Sequence, residues 1–197
     1  MRVTVEAIDR DRIRNSLLLT LCIHAPAGER VQLYRVKHED YESFGELTVG
    51  DTLDIEDVLP LIEEEEISRA YARALRILGT ADNTAQALER KLIGRGFVPS
   101  CARAAVERIV REGYLREEDM LLRQFAVFRK RLWGPSKYLP ALLSKGFSRE
   151  LIERARDKAK EEEVYDADSV KDELLSRFSP KGEAERRALL YKYGFRA

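Results

Sequence analysis

Thirty residues lie between Asp119 and Glu150 without one carboxylate among them, and they include Arg123, Arg129, Lys130, Arg131, Lys137, Lys145 and Arg149. Such side chains attract phosphate or carboxylate, lysine as a point charge and arginine as a planar fork of donors. Surfaces ordinarily intersperse both signs, so the stretch reads as an electrostatic footprint for a polyanion. A solvated surface that happens to lack acids is the plainer reading. Arg90, Lys91 and Arg95 are further contact candidates. Trp133 has two readings of its own: a platform on which a base stacks, or a loop-packing side chain between Leu132 and Tyr138. The second is preferred.

Other chemistry finds little support. The sequence holds no GxxxxGK[ST] phosphate loop, no HExxH and no GxSxG. Cys22 and Cys101 have no metal spacing, and His24 and His38 are the only histidines, so a catalytic triad and a metal centre both lack parts. Glu63-Glu64-Glu65-Glu66 resembles a metal cluster, but consecutive acids on a helix point around it, so a solvated helix start is expected there. A binding protein without cofactor or metal follows, rather than an enzyme.

The elements that must carry these cations are legible from periodicity. Leu121, Leu122, Phe125, Phe128 and Leu132, then Tyr138, Leu139, Leu142 and Leu143, recur at helical spacing. Two amphipathic helices broken at Gly134-Pro135 are predicted, with Phe125, Phe128 and Leu142 inward and the cations on one exposed face. Arg123 and Lys130, seven apart, fall nearly in line, whereas Arg129 and Arg131 flank that line by about 100° each. The face is therefore broad, with Lys137 reaching it from the second helix.

The 197 residues carry 35 Lys and Arg against 35 Asp and Glu, yet the balance hides a division. Residues 1–66 hold 7 cations and 16 acids, a net of −9, and residues 67–197 hold 28 and 19, a net of +9. The basic part is the one suited to nucleic acid or an acidic groove. No signal-peptide core and no membrane-length apolar run occur, and two thiols do not make a disulfide framework. A soluble, cytoplasmic protein with no membrane partner is expected.

Along the chain, Val3 to Ile8 alternates before Asp9-Arg10-Asp11-Arg12 interrupts, Leu17 to Ile23 is apolar, and Arg30 to Val36 alternates after the turn Ala25-Pro26-Ala27-Gly28. A small antiparallel sheet is predicted, with a helical turn near Asp40 to Phe44 and a turn at Leu47 to Asp51. From Asp54 the chain turns helical. Asp54 caps a short helix limited by Pro60, and Ile67 to Leu78 follows, ended by Gly79. Asn83 and Gln86 suggest a capping box for the next helix. Pro99 opens another, which buries Ala102, Ala105, Val106, Ile109 and Val110. Ser148 caps a helix carrying Leu151, Ile152 and Ala155, and Asp168 to Phe178 and Glu183 to Tyr193 complete the set.

One element recurs. Leu92-Ile93-Gly94-Arg95-Gly96-Phe97, Leu142-Leu143-Ser144-Lys145-Gly146-Phe147 and Leu190-Tyr191-Lys192-Tyr193-Gly194-Phe195 align, with glycines 50 and 48 residues apart. Each glycine is predicted to end its helix in the left-handed conformation while the phenylalanine packs back. The expected fold is mainly α: tandem three-helix repeats forming an elongated curved body, preceded by a small β-rich N-terminal module. The expected division is a module at 1–54, a first repeat with its lead-in helix at 55–115, a second at 116–166 and a third, truncated, at 167–197.

With these features in place the chain resembles the RecX family of recombination regulators over essentially its whole length. The resemblance rests on the three-helix repeat with helix ends such as Arg95-Gly96-Phe97 and Lys145-Gly146-Phe147. It rests also on Gly113-Tyr114-Leu115-Arg116-Glu117-Glu118 between repeats, on Gly134 before Lys137 and Leu142, and on the Gly50-Asp51-Thr52-Leu53 turn. It implies a helical repeat protein that binds the RecA nucleoprotein filament and modulates, chiefly by inhibition, its ATPase and strand exchange. Some members also bind single- or double-stranded DNA, and direct DNA binding without RecA is the alternative. An inert helical scaffold is a third reading.

Overall fold

The computed structural model describes residues 1–11, 16–26, 28–45 and 47–196. They form two compact units: Met1–Asn83 with Leu88–Tyr114, and Thr84–Ala87 with Leu115–Ala197.

The first unit opens with three long strands, β1 (Arg2–Asp11), β2 (Ser16–Ala25) and β3 (Gly28–Lys37), followed by helix α1 (His38–Phe44) and the short strand β4 (Thr52–Asp54). They make an antiparallel sheet in the order β3-β2-β1-β4. Strand β1 does not stop at Asp9. Asp9, Arg10 and Asp11 continue pairing with Leu18, Leu17 and Ser16, so ladder hydrogen bonds override the run of charge. Arg12 and Ala27, parts of the expected interruption and turn, lie outside the described residues. One face of the sheet supplies Val3, Val5, Leu19, Leu21, Ile23, Tyr34 and Val36 to a core completed by Ile55, Val58, Ile62, Val98 and Cys101.

Helix α2 (Ile55–Leu78) is one continuous 24-residue helix, which corrects the expected pair. Its buried residues, Ile55, Val58, Ile62, Glu66, Ala70, Ala74 and Ile77, recur every three or four positions straight across Pro60. A proline inside a helix costs about 3 kcal/mol, and burying each large aliphatic side chain contributes about 1.5–3 kcal/mol, so the stripe wins. The acidic run is therefore not a solvated helix start. It sits in mid-helix, and Glu66 is completely buried. Asp54 occupies the N-cap position without a side-chain cap bond, and Gly79 ends the helix at a right-handed φ of −65°.

Helix α3 (Ala85–Ile93) is capped by Thr84 rather than Asn83. Thr84 Oγ1 accepts from the Ala87 N–H at 3.1 Å, while the Asn83 amide donates to the Ala81 carbonyl and accepts from Lys91. Helix α4 (Pro99–Arg111) has Pro99 in its first turn. It buries Ala102, Ala105, Val106 and Ile109, but Val110 is 45% exposed because it falls beyond the packed stripe.

The second unit holds α5 (Glu117–Lys130), α6 (Pro135–Ser144), α7 (Arg149–Glu161), α8 (Ala167–Phe178) and α9 (Glu183–Tyr193). Its core includes Leu121, Phe125, Phe128, Tyr138, Leu142, Ile152, Ala155, Tyr165, Leu174 and Leu190. Leu143, expected inside, is 39% exposed. Ser148 caps α7 by accepting from the Leu151 N–H.

The recurrent helix end is the same structure three times. Gly96, Gly146 and Gly194 have φ of +84°, +93° and +86°. In each, the following phenylalanine N–H donates five residues back, Phe97 to Leu92, Phe147 to Leu142 and Phe195 to Leu190. Each glycine N–H donates three back, to Ile93, Leu143 and Tyr191. All three phenylalanines are buried. The ends of α4 and α7 share a second version, with Tyr114 donating to Ile109 and Val164 to Ala159. There the left-handed residue is Gly113 in one and Glu163 in the other.

Candidate functional site

Helices α5 and α6 carry the acid-free stretch, which ends on Arg149 at the start of α7. Their apolar stripes are held by an aromatic cluster, Phe125 edge-on to Tyr138 at 5.3 Å and Phe128 stacked on Tyr138 at 5.6 Å. Such pairs each add about 0.5–1.5 kcal/mol beyond burial. Burial holds the Tyr138 and Tyr165 phenols above their ordinary pKa, and the Tyr165 hydroxyl donates to the Trp133 carbonyl at 2.7 Å. The loop at Trp133-Gly134 is thereby fixed from beneath.

Gly134 is where two backbones meet. Its N–H donates to the Tyr193 carbonyl at 2.7 Å and the Ser136 N–H to the Gly194 carbonyl at 2.9 Å. The N-terminal donors of α6 thus satisfy the last carbonyls of α9, and they are not free to bind an anion. A Cβ on Gly134 would stand 2.5 Å from the Gly194 carbonyl oxygen. The Gly146 end docks likewise: Thr84 Oγ1 donates to the Lys145 carbonyl at 2.9 Å, and Glu117 accepts from the Ala85 N–H at 3.1 Å. Burial raises the Glu117 carboxyl.

All ten candidate cations are exposed, but their environments differ. Arg131 and Lys137 flank Trp133, each with its charge 5.4 Å from the ring centre, and Lys137 also lies 5.8 Å from the Tyr193 ring. Trp133 itself stacks on Phe128 at 5.5 Å, so one face of the indole is occupied within the protein. Lys145 reaches back to Gln124 on α5 at 2.8 Å. Arg129 turns elsewhere, donating to the Glu163 carbonyl at 2.6 Å in a cavity it shares with Lys160, Asp166 and Glu173. Lys130 and Arg149 make no ion pair among the described residues, and Arg123 has a partner of its own. In the first unit Arg95 donates to the Lys91 carbonyl at 2.9 Å, Lys91 is bonded to Asn83, and Arg90 stands exposed.

Sequence reasoning passed over the most buried charge. Glu66 accepts from Arg30 at 2.5 Å and from the Tyr34 hydroxyl at 2.6 Å, with the Val98 N–H at 3.4 Å. The Arg30 guanidinium lies 4.6 Å from the Phe97 ring centre. One carboxylate therefore ties β3, α2 and the first Gly-Phe helix end together. The signal was present: Glu66 occupies the four-residue register of Ile62, Ala70 and Ala74.

No protein-family model matches the chain. The regulatory protein RecX of Trichlorobacter lovleyi is 30% identical over 138 residues, covering 66% of this chain and 90% of that protein. The chain belongs to the RecX family of regulatory proteins. A RecX of Thermus thermophilus is 36% identical over 97 residues, 49% of this chain and 67% of that protein. A crystal structure of regulatory protein RecX matches with a TM-score of 0.51 at 16% identity, covering 98% of this chain and 94% of the other. RecX from Lactobacillus salivarius matches with a TM-score of 0.52 at 17% identity, over 67% and 90%. At those identities the likeness concerns the fold: a helical RecX architecture behind a small antiparallel sheet. Among the described residues no helix is long and apolar enough to cross a membrane.

Proposed function

We propose that this RecX-family protein binds the RecA recombinase filament and restrains its ATPase and strand exchange in cytoplasmic DNA repair and recombination. It acts as a regulator, not an enzyme. Family membership carries this reading. The exposed cations from α5 to the start of α7 support it, because Lys130, Arg131, Lys137 and Arg149 have no carboxylate partner among the described residues and keep their charge for an outside anion. A filament groove offers both acidic protein surface and DNA phosphate, and charge of this kind steers and orients association. Neither thiol is prepared as a nucleophile: burial pushes Cys101 up to about 11 and raises Cys22. The working division is a module at 1–54 and repeats at 55–115, 116–166 and 167–197, with the second repeat as the principal contact.

Direct DNA binding is the second reading, favoured by Arg131 and Lys137 beside the Trp133 ring. Co-sedimentation separates the two. The protein is expected to pellet with RecA filaments on single-stranded DNA far more than with that DNA alone at the same salt. Equal recovery with and without RecA contradicts the first reading.

A further inference from the structure

The far end of the β2–β3 hairpin gathers a thiol, an imidazole and a carboxylate that the proposed function does not use. Cys22 and His24 are two apart on β2 and so share a face, and His24 pairs directly with Glu29 across the strands. One donor atom from each of the three lies within 4.8 Å of the others. We propose that this hairpin end is a divalent transition-metal site, with Cys22 Sγ, His24 Nδ1 and a Glu29 carboxylate oxygen as ligands and zinc(II) as the best-matched class.

The donor set decides the class. Thiolate with imidazole suits zinc(II), whereas calcium and magnesium take oxygen ligands. Zinc bonds of about 2.0–2.3 Å put the donors of one tetrahedron roughly 3.3–3.8 Å apart, a contraction of about 1 Å from the 4.8 Å within which these donors already lie. His24 is already oriented. Its Nε2 lies 2.9 Å from Thr4 Oγ1, which is 3.3 Å from Thr52 Oγ1, and this leaves Nδ1 facing Glu29 Oε1 at 3.1 Å. Outer partners of that kind fix a ligating ring. Binding requires the Cys22 thiol to give up its proton and the His24 hydrogen to sit on Nε2, where Thr4 Oγ1 can accept it, and the fourth position is left to water.

The placement gives the metal something to act on. A Cβ on Gly96 would lie 3.4 Å from the Ala25 Cβ, so this hairpin end packs on the first Gly-Phe helix end. A metal that pins the hairpin stabilises the first unit by mass action. Chain spacing concealed the site, because strand pairing alone brings Glu29 back to His24.

Cobalt(II), titrated into the full chain, reports the site through its thiolate charge-transfer absorption. Wild type and Cys101→Ser should show that band at one equivalent, and Cys22→Ser should lose it. Glu29 is exposed, so Glu29→Gln keeps the fold and should weaken cobalt(II) binding by at least about tenfold. Zinc(II) should raise the Tm of wild type. No band in wild type, a band that survives Cys22→Ser, or equal affinity in Glu29→Gln overturns the proposal.

Discussion

Glu66 shows how much one residue can organise. Its carboxylate is wholly buried, and Arg30 and Tyr34 both donate to it. Removing one member of a buried pair leaves the other charge without compensation, at about 3–5 kcal/mol. Glu66→Ala is expected to lose that much in urea unfolding, whereas Lys130→Ala should change stability by under about 0.5 kcal/mol. Glu163 offers a gain instead. It holds a left-handed φ of 56° where the equivalent residue after α4 is Gly113. A side chain costs about 1–2 kcal/mol in that conformation, and glycine's extra unfolded entropy returns about half. Glu163→Gly should therefore stabilise by about 0.5–1 kcal/mol, read from the denaturant midpoint. Asp166 supplies a pH test. The Ser169 N–H, then Lys160, hold its carboxyl below the usual range. A depressed folded pKa contributes stability above the unfolded value of about 3.9, lost as pH falls through the folded value. Asp166→Asn should flatten that part of the acid limb.

Among the elements, the three glycine helix ends were readable and their neighbours were not. The alignment of Gly96, Gly146 and Gly194 predicted positive φ, which each adopts, because a left-handed cap is a local property written in adjacent residues. What each end touches depends on segments some sixty residues away. A Cβ on Gly146 would lie 2.8 Å from Thr84 Oγ1, and one on Gly194 2.8 Å from the Lys137 backbone nitrogen, while Gly96 has only ordinary contacts. Gly96→Ala should cost about 1 kcal/mol for its conformation, and Gly194→Ala should add a clash of about 1–3 kcal/mol. Equal melting temperatures for the two variants would refute that order. Pro60 teaches the converse. Proline alone argues for a helix boundary, but the stripe from Ile55 to Ile77 carries the helix through it. Propensity was legible, whereas the packing that overrode it required knowing what α2 lies against.

For the molecule as a whole, charge division and repeat spacing made the fold class readable: strands end at Asp54 and helices follow. The candidate site was readable in kind but not in detail. Exposure of the cations followed from helical periodicity, yet Arg129 faces the Glu163 carbonyl while Arg131 and Lys137 gather at Trp133. Those destinations depend on α7 and on the loop before α6, which periodicity within α5 does not report. The exposed cations from α5 to the start of α7 are proposed to engage RecA on DNA and restrain it. The most direct measurement is RecA ATPase turnover on single-stranded DNA at fixed salt, with this protein titrated in beside a Lys130→Glu, Arg149→Glu variant of unchanged Tm. Turnover is expected to fall with wild-type protein, and the variant is expected to need at least about tenfold more for the same effect, a loss of about 1.4 kcal/mol in binding. Turnover that is indifferent to the wild-type protein, or equally restrained by the variant, would contradict that proposal.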